Sequence, residues 1–305
     1  MLRRKPDAEA GTMFDTVTVG LDGTRESQAA VDWAAREALS RGATLQLVQI
    51  HETGAYPYSP IAQDHVEHEW AHKITSEAVD DLAGRHPGLR TTVELEAGRP
   101  SYVLSDFSTR TDLLVLGSRG LGSVLGYIVG STALPTVAHA QCPVILVRAP
   151  ESEEPGLHDH APAAEGGIVL GLDLGRPCDE LLAFTFDAAA RRSAPLRVLH
   201  SWGHHPPAHG TRPALDAEHA RQEAEQETEL SAALRPWREK YPALEVHAEA
   251  LTGRPARLLV DAASGASMVV VGRRIRRSLV GWHLGPVAHA VMHHARTPVA
   301  VVAHD

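Results

Sequence analysis

Along the chain, short apolar runs alternate with longer stretches in which apolar residues recur every three or four positions. Thr16 to Leu21 is a short β-branched run and reads as a strand. Val31, Ala34, Ala35, Ala38 and Leu39 then fall on one helical face, with Gly42 after Arg41 as a stop signal. Leu45 to Ile50 reads as a second strand, 62–84 as a polar helix, and Thr92 to Leu95 as a third strand. Gly98-Arg99-Pro100 opens a third helix. Leu113 to Gly117 is apolar at nearly every position, as expected of a parallel strand covered on both faces. A glycine-rich loop, a fourth helix and a fifth strand, Pro143 to Val147, complete the unit. This alternation predicts an α/β fold with a doubly wound, mainly parallel sheet and helices on both faces.

The pattern then repeats. Gly98-Arg99-Pro100 recurs as Gly253-Arg254-Pro255, Gly117 as Gly272, Gly130 as Gly285 and Pro143 as Pro298, each 155 residues on. Gly20-Leu21-Asp22 recurs as Gly171-Leu172-Asp173, 151 residues on. A period this long is a whole domain rather than a solenoid turn. The expected organisation is a tail over 1–13, a first domain over 14–149, a linker over 150–165 and a second domain over 166–305. The linker stretch is acidic, proline-rich and without period.

Composition narrows the function. Hydrophobic residues make up 43% and charged residues 22%, the balance of a soluble globular protein. The net charge of −9 argues against general attraction to nucleic acid or to an anionic membrane. The basic N-terminus lacks the apolar stretch of a signal peptide, and no apolar run is long enough to span a bilayer. The only cysteines, Cys142 and Cys178, do not make a disulfide scaffold and suit a reducing cytoplasm.

The candidate chemistry lies after the fourth strand. Gly117, Gly120, Gly122, Gly126 and Gly130 punctuate a loop that ends in Ser131-Thr132. Glycines let backbone amides approach a ligand without a Cβ in the way. Gly117 and Gly120 are placed to form the turn, and Gly130, Ser131 and Thr132 to open the next helix, where amides and hydroxyls suit phosphate oxygens. Arg119 adds charge. Neither the P-loop nor the dinucleotide fingerprint is present. A flexible surface loop is the plain alternative. If Ser131 caps the fourth helix, Pro135 lacks the N–H that the Ser131 carbonyl expects, which predicts a distorted first turn.

The spacing G-x2-G-x9-G-S/T, occupied by Gly117, Gly120, Gly130 and Ser131, resembles the ATP-binding motif of universal stress proteins. Val19-Gly20-Leu21-Asp22-Gly23-Thr24, Asp112 to Gly120 and Cys142 to Val147 add to the likeness, which covers both copies. The resemblance implies strand order 3-2-1-4-5 in each of two five-stranded sheets and an ATP site in the crevice between strands one and four. It assigns Gly20 and Asp22 to the base and ribose and Ile50 to adenine. Gly117, Ser118, Arg119, Gly120, Leu121, Gly122, Ser123, Gly130, Ser131 and Thr132 are assigned to the phosphates. Asp22 reads equally as a helix-capping residue, and Ile50 as plain core. Magnesium is expected only through the phosphates, with Asp22 a remote ligand.

The resemblance also implies pairing through the fifth strands, here Val144–Val147 with Val299–Val302 inside one chain as a pseudo-dimer, and possible association of two chains. The implied role is a cytoplasmic, nucleotide-responsive stress regulator. Two rivals are a slow ATPase or autophosphorylating enzyme, with Ser131 as acceptor, and a nucleotide-free dimerisation scaffold.

The second copy departs from the motif. Ile275 stands for the second glycine, Pro286 for the hydroxyl residue, and Leu174 for Gly23. Weak or absent nucleotide binding is expected there. Arg273, Arg274, Arg276 and Arg277 read either as a phosphate patch or as a solvated basic loop. The 19 histidines show no zinc-site spacing, and no catalytic serine or cysteine context appears.

Overall fold

The computed structural model describes residues 15–52, 61–118, 130–149, 166–203, 213–275 and 284–304, with side chains of 61–69 and 213–217 left aside. The first unit runs β1 (Thr16–Leu21), α1 (Arg25–Arg41), β2 (Thr44–His51), α2 (Ile61–Arg85), β3 (Thr91–Ala97), α3 (Pro100–Phe107), β4 (Leu113–Ser118), α4 (Ala133–His139) and β5 (Val144–Arg148). The second repeats it as β6 (Ile168–Leu172), α5 (Asp179–Arg192), β7 (Leu196–Trp202), α6 (Pro213–Lys240), β8 (Val246–Thr252), α7 (Pro255–Ala262), β9 (Met268–Arg274), α8 (Pro286–His294) and β10 (Val299–His304).

Local chemistry sets the boundaries. Thr24 caps α1, its Oγ1 accepting the Ser27 N–H at 3.2 Å, and Gly42 ends the helix with a left-handed φ of 65°. Pro100 and Pro255 open α3 and α7 in the first turn, where a missing N–H costs nothing.

The strands form one sheet in the order β3-β2-β1-β4-β5-β10-β9-β6-β7-β8. Each half has the order 3-2-1-4-5. The two sheets expected from the sequence are halves of a single ten-stranded one, because β5 and β10 pair antiparallel, with Val299 opposite Leu146 and Val301 opposite Val144. All other pairings are parallel.

Both faces are covered. On β4, Leu113 and Val115 face the core under α1 and α2, while Leu114 and Leu116 face the core under α3 and α4. The second unit places α5 and α6 on the first face and α7 and α8 on the other. This double coverage explains why the β4 sequence shows no polar alternation.

Charge as well as apolar surface joins the units. Between α1 and α5, Arg41 reaches Glu37 on its own helix and Asp187 at 2.8 Å on the other. Arg192 returns to Glu37, and Arg191 to Asp187 at 3.0 Å. Glu37 is 4% exposed and the Arg41 side chain is fully buried. Burial lowers the pKa of Arg192, and Glu37 acts against that effect. On the opposite face Arg148 Nη2 donates to the Met292 carbonyl at 2.7 Å, and Arg273 Nη2 donates to the Ala140 carbonyl. Among the described residues, no helix is long and apolar enough to cross a membrane.

Candidate functional site

β1 sits between β2 and β4, and all three run parallel. The chain leaves β1 for α1 on one face and β4 for α4 on the other, so their carboxyl ends bound a crevice at a topological switch point. Gly20 lies there. A Cβ on it would stand 3.1 Å from Leu116 Cδ2 and 3.7 Å from Leu104 Cδ2. Ile50, one residue before the end of β2, is half-buried against the same apolar cluster as Leu104 and Leu116. Its core role and its place by the crevice coincide.

Asp22 is exposed and organises the turn. Its Oδ1 accepts the Thr24 N–H at 3.0 Å and the Thr24 hydroxyl at 2.6 Å. Thr24, rather than Asp22, is the residue that caps α1. Asp22 therefore holds the cap in place and keeps its carboxylate at the surface of the turn.

Gly117 lies beneath the first turn of α1. A Cβ there would approach Glu26 C at 2.6 Å, Glu26 O at 2.7 Å and Ser27 N at 2.8 Å. Those are backbone atoms and cannot swing aside, so glycine is required at the seam between strand and helix. The sequence reading gives Gly117 a phosphate role; its side of β4 is already filled by α1. The neighbouring Ser118 side chain is 1% exposed and points to the opposite face, and its Oγ has no hydrogen-bond partner among the described residues. Ser118 is thus a buried hydroxyl at the end of β4. Arg119, Gly120, Leu121, Gly122 and Ser123 lie outside the described residues.

Gly130, Ser131 and Thr132 form a turn ahead of α4 instead of its opening residues. The helix begins at Ala133, and Thr132 occupies the cap position without a side-chain cap. The reason is Pro135. The Leu134 N–H reaches the Gly130 carbonyl and the Thr136 N–H the Thr132 carbonyl, each at 3.2 Å. Between them Pro135 has no N–H for Ser131. Ser131 is exposed, and a Cβ on Gly130 would meet nothing within 4 Å.

The second crevice is built differently. In place of Asp22 stands Asp173, whose Oδ2 receives Arg274 Nη2 at 2.9 Å. Burial works to raise the Asp173 pKa, but the Gly175 N–H and Arg274 outweigh it and hold the carboxyl below its ordinary value. Pro177 keeps Arg176 out of helical conformation, and α5 starts only at Asp179, after the first turn that α1 has in the other unit. The His304 ring lies in the space beside Gly272, where a Cβ would fall 2.4 Å from Nε2, and its Nδ1 is 3.2 Å from the Pro177 carbonyl. Arg273 and Arg274 are the last residues of β9 rather than members of a loop, and Arg273 is 6% exposed. Arg276 and Arg277 lie outside the described residues.

At the end of β7, His200 stands where β2 has Gln49, between the Leu172 carbonyl at 3.0 Å and Gln226 Oε1 at 2.9 Å. Among the described residues no group of three His, Cys, Asp or Glu side chains is placed to hold a metal. Burial pushes the Cys142 thiol up to about 12 and the Cys178 thiol up to about 11, so neither is a ready nucleophile.

Sequence reasoning missed three features: the α1–α5 charge network, Arg273 as a bridge between units, and His304 beside Gly272. The one available signal was a pair of arginines, Arg273 and Arg274, following directly on the apolar run Met268 to Val271 and Gly272.

The fold defines a tandem doubly wound α/β protein with a switch-point crevice in each unit, the second bordered by the Arg274–Asp173 pair. The profile of the universal stress protein family matches residues 13–148 and 167–303, and the chain belongs to that family. It is similar to a universal stress protein of Mycobacterium tuberculosis (strain ATCC 25618 / H37Rv), 35% identical over 311 residues, covering 93% of this chain and 94% of the relative. A second universal stress protein of that strain is 33% identical over 293 residues, covering 93% and 96%. Among solved structures, a universal stress protein from Archaeoglobus fulgidus DSM 4304 aligns with a TM-score of 0.67 at 15% identity, over 96% of this chain and all of that one. At that identity the likeness is one of fold.

Proposed function

We propose that the first unit binds an adenine nucleotide, ATP with magnesium carried on its phosphates, and that the second unit does not. The protein then acts as a cytoplasmic, nucleotide-responsive stress regulator. The observation that carries this reading is the convergence of Gly20, Asp22 and Ile50 at the carboxyl ends of adjacent strands β1 and β2, next to the end of β4. A crevice at such a switch point is where open α/β sheets place ligands.

Within it, Ile50 offers an apolar wall to the base, and the Asp22 carboxylate faces the ribose side of the turn. The Gly117-x2-Gly120-x9-Gly130-Ser131 segment supplies amides and hydroxyls to the phosphates. Since Gly117 is committed to packing and Ser118 to the interior, the phosphate contacts belong to Arg119 to Ser123 and to Gly130, Ser131 and Thr132.

Calorimetric titration with ATP and magnesium tests the reading. One site per chain is expected in the parent protein, and its loss in Gly120→Val. Absence of heat, with no nucleotide released when the purified protein is denatured, would leave the scaffold reading standing.

A further inference from the structure

Two arginines cross between the units on the α4–α8 face. Arg148 of β5 donates to Met292 O in the last turns of α8. Arg273 of β9 donates to Ala140 O, the residue that terminates α4. Helix carboxyl ends present carbonyls without intrahelical partners and a negative dipole end, so a guanidinium is well matched to both.

The two arginines occupy the same rung of each half. Ser118 pairs with Arg148 across β4 and β5, and Arg273 with Ala303 across β9 and β10. In the first unit the β4 member of the rung is Ser118, inside the nucleotide motif. In the second, that same motif position has become the arginine that leaves its own unit. The altered sequence Gly272-Arg273-Arg274 thus sends one arginine to its own Asp173 and the other into the first unit.

The segment that Arg273 grips is short. Gly130 and Ala140 are the two ends of one stretch, joined by the hydrogen bonds Leu134 to Gly130, Thr136 to Thr132 and Ala140 to Thr136. Pro135 removes one bond from that ladder, so tertiary contacts must set the position of the stretch. Arg273 supplies a charged one at its far end, and Gln141 N–H to Ser108 Oγ at 2.9 Å a neutral one.

We infer that the second unit, having lost its own nucleotide site, fixes the Gly130–Thr132 turn of the first through Arg273, which is a positioning residue for a site it does not line. This rests on the nucleotide reading above, and the test separates the two. Full-length Arg273→Met keeps the apolar stem and removes the guanidinium. Its affinity for ATP is expected to fall by about fivefold or more, the lower end of ordinary site-to-site coupling. Amide exchange at Leu134, Thr136 and Ala140 is expected to quicken while that of α1 stays as in the parent. Arg273→Lys, which keeps charge and reach, should recover most of the affinity, and Arg274→Ala should leave it unchanged. If Arg273→Met does not fold, Arg273→Gln, too short to cross, replaces it with the same expectations. Parent-like affinity and exchange in a folded variant would overturn the inference and leave the nucleotide reading intact. A parent protein that binds no nucleotide would overturn both. Equal losses in Arg274→Ala would mean that general charge, and not this bridge, is at work.

Discussion

The two crevices share a topology and differ in what occupies it. Asp22 holds its own turn, and α1 comes down on Gly117 backbone to backbone. Asp173 is engaged by Arg274, α5 starts later, and a histidine ring fills the space that the missing helical turn leaves beside Gly272. The same glycine is needed in both units, yet for different neighbours. The strand-to-helix glycine is kept in both units, while Pro177, Arg274 and His304 give the second crevice different neighbours. The exposed Arg274–Asp173 pair contributes little stability, about 1 kcal/mol at most.

The comparison can be broken first at the seam, to which both units contribute. Glu37→Gln removes the charge that Arg41 and Arg192 share, and losing one partner of a buried pair costs about 3 kcal/mol or more. Thermal unfolding of the variant should show a single, lowered transition for the whole chain. Two separate transitions in the parent would show that the units are not one cooperative body.

The glycines sharpen it next. Gly117→Ala forces a methyl against Glu26 and Ser27 backbone and should cost about 3 kcal/mol, whereas Gly272→Ala meets side-chain atoms of His304 and Leu181 and should cost about 1 kcal/mol. Denaturant midpoints of the two variants measure the difference, and equal costs would mean that the crevices are packed alike.

The smallest effect concerns acid. His289 and His293 stack at 4.3 Å on α8, and burial first, then His293 and His294, lowers the His289 pKa. The unfolded chain then binds the proton more readily than the native one, so stability is lost as pH falls below about 6.5. The first unit has Leu134 and Ala138 at the corresponding positions. His289→Gln should therefore slightly flatten the loss of stability between neutral and mildly acid pH, His289 being half-buried. An unchanged pH profile would remove α8 from the acid response.

Much of this was readable in the chain. The repeat showed the tandem architecture because a duplicated fold keeps its glycines and prolines where backbone geometry needs them. The strands of each half were legible because parallel strands covered on both faces are apolar runs. The buried charges were not legible: Arg41 looks like an ordinary last-turn cation, and Arg273 like one of four arginines in a solvated loop. Their burial depends on which unit stands opposite, which periodicity does not encode. Likewise the glycine pattern pointed to a phosphate loop, but it could not separate Gly117, spent on helix packing, from glycines that leave backbone free for a ligand.

The central claim is that the first unit binds nucleotide and the second does not. A crystal structure of the full chain grown with ATP and magnesium tests it most directly. The account predicts nucleotide at the carboxyl ends of β1 and β4 beside the Gly130–Thr132 turn, with Arg274 still on Asp173 in the second unit. Nucleotide in both crevices, or in the second alone, would contradict it.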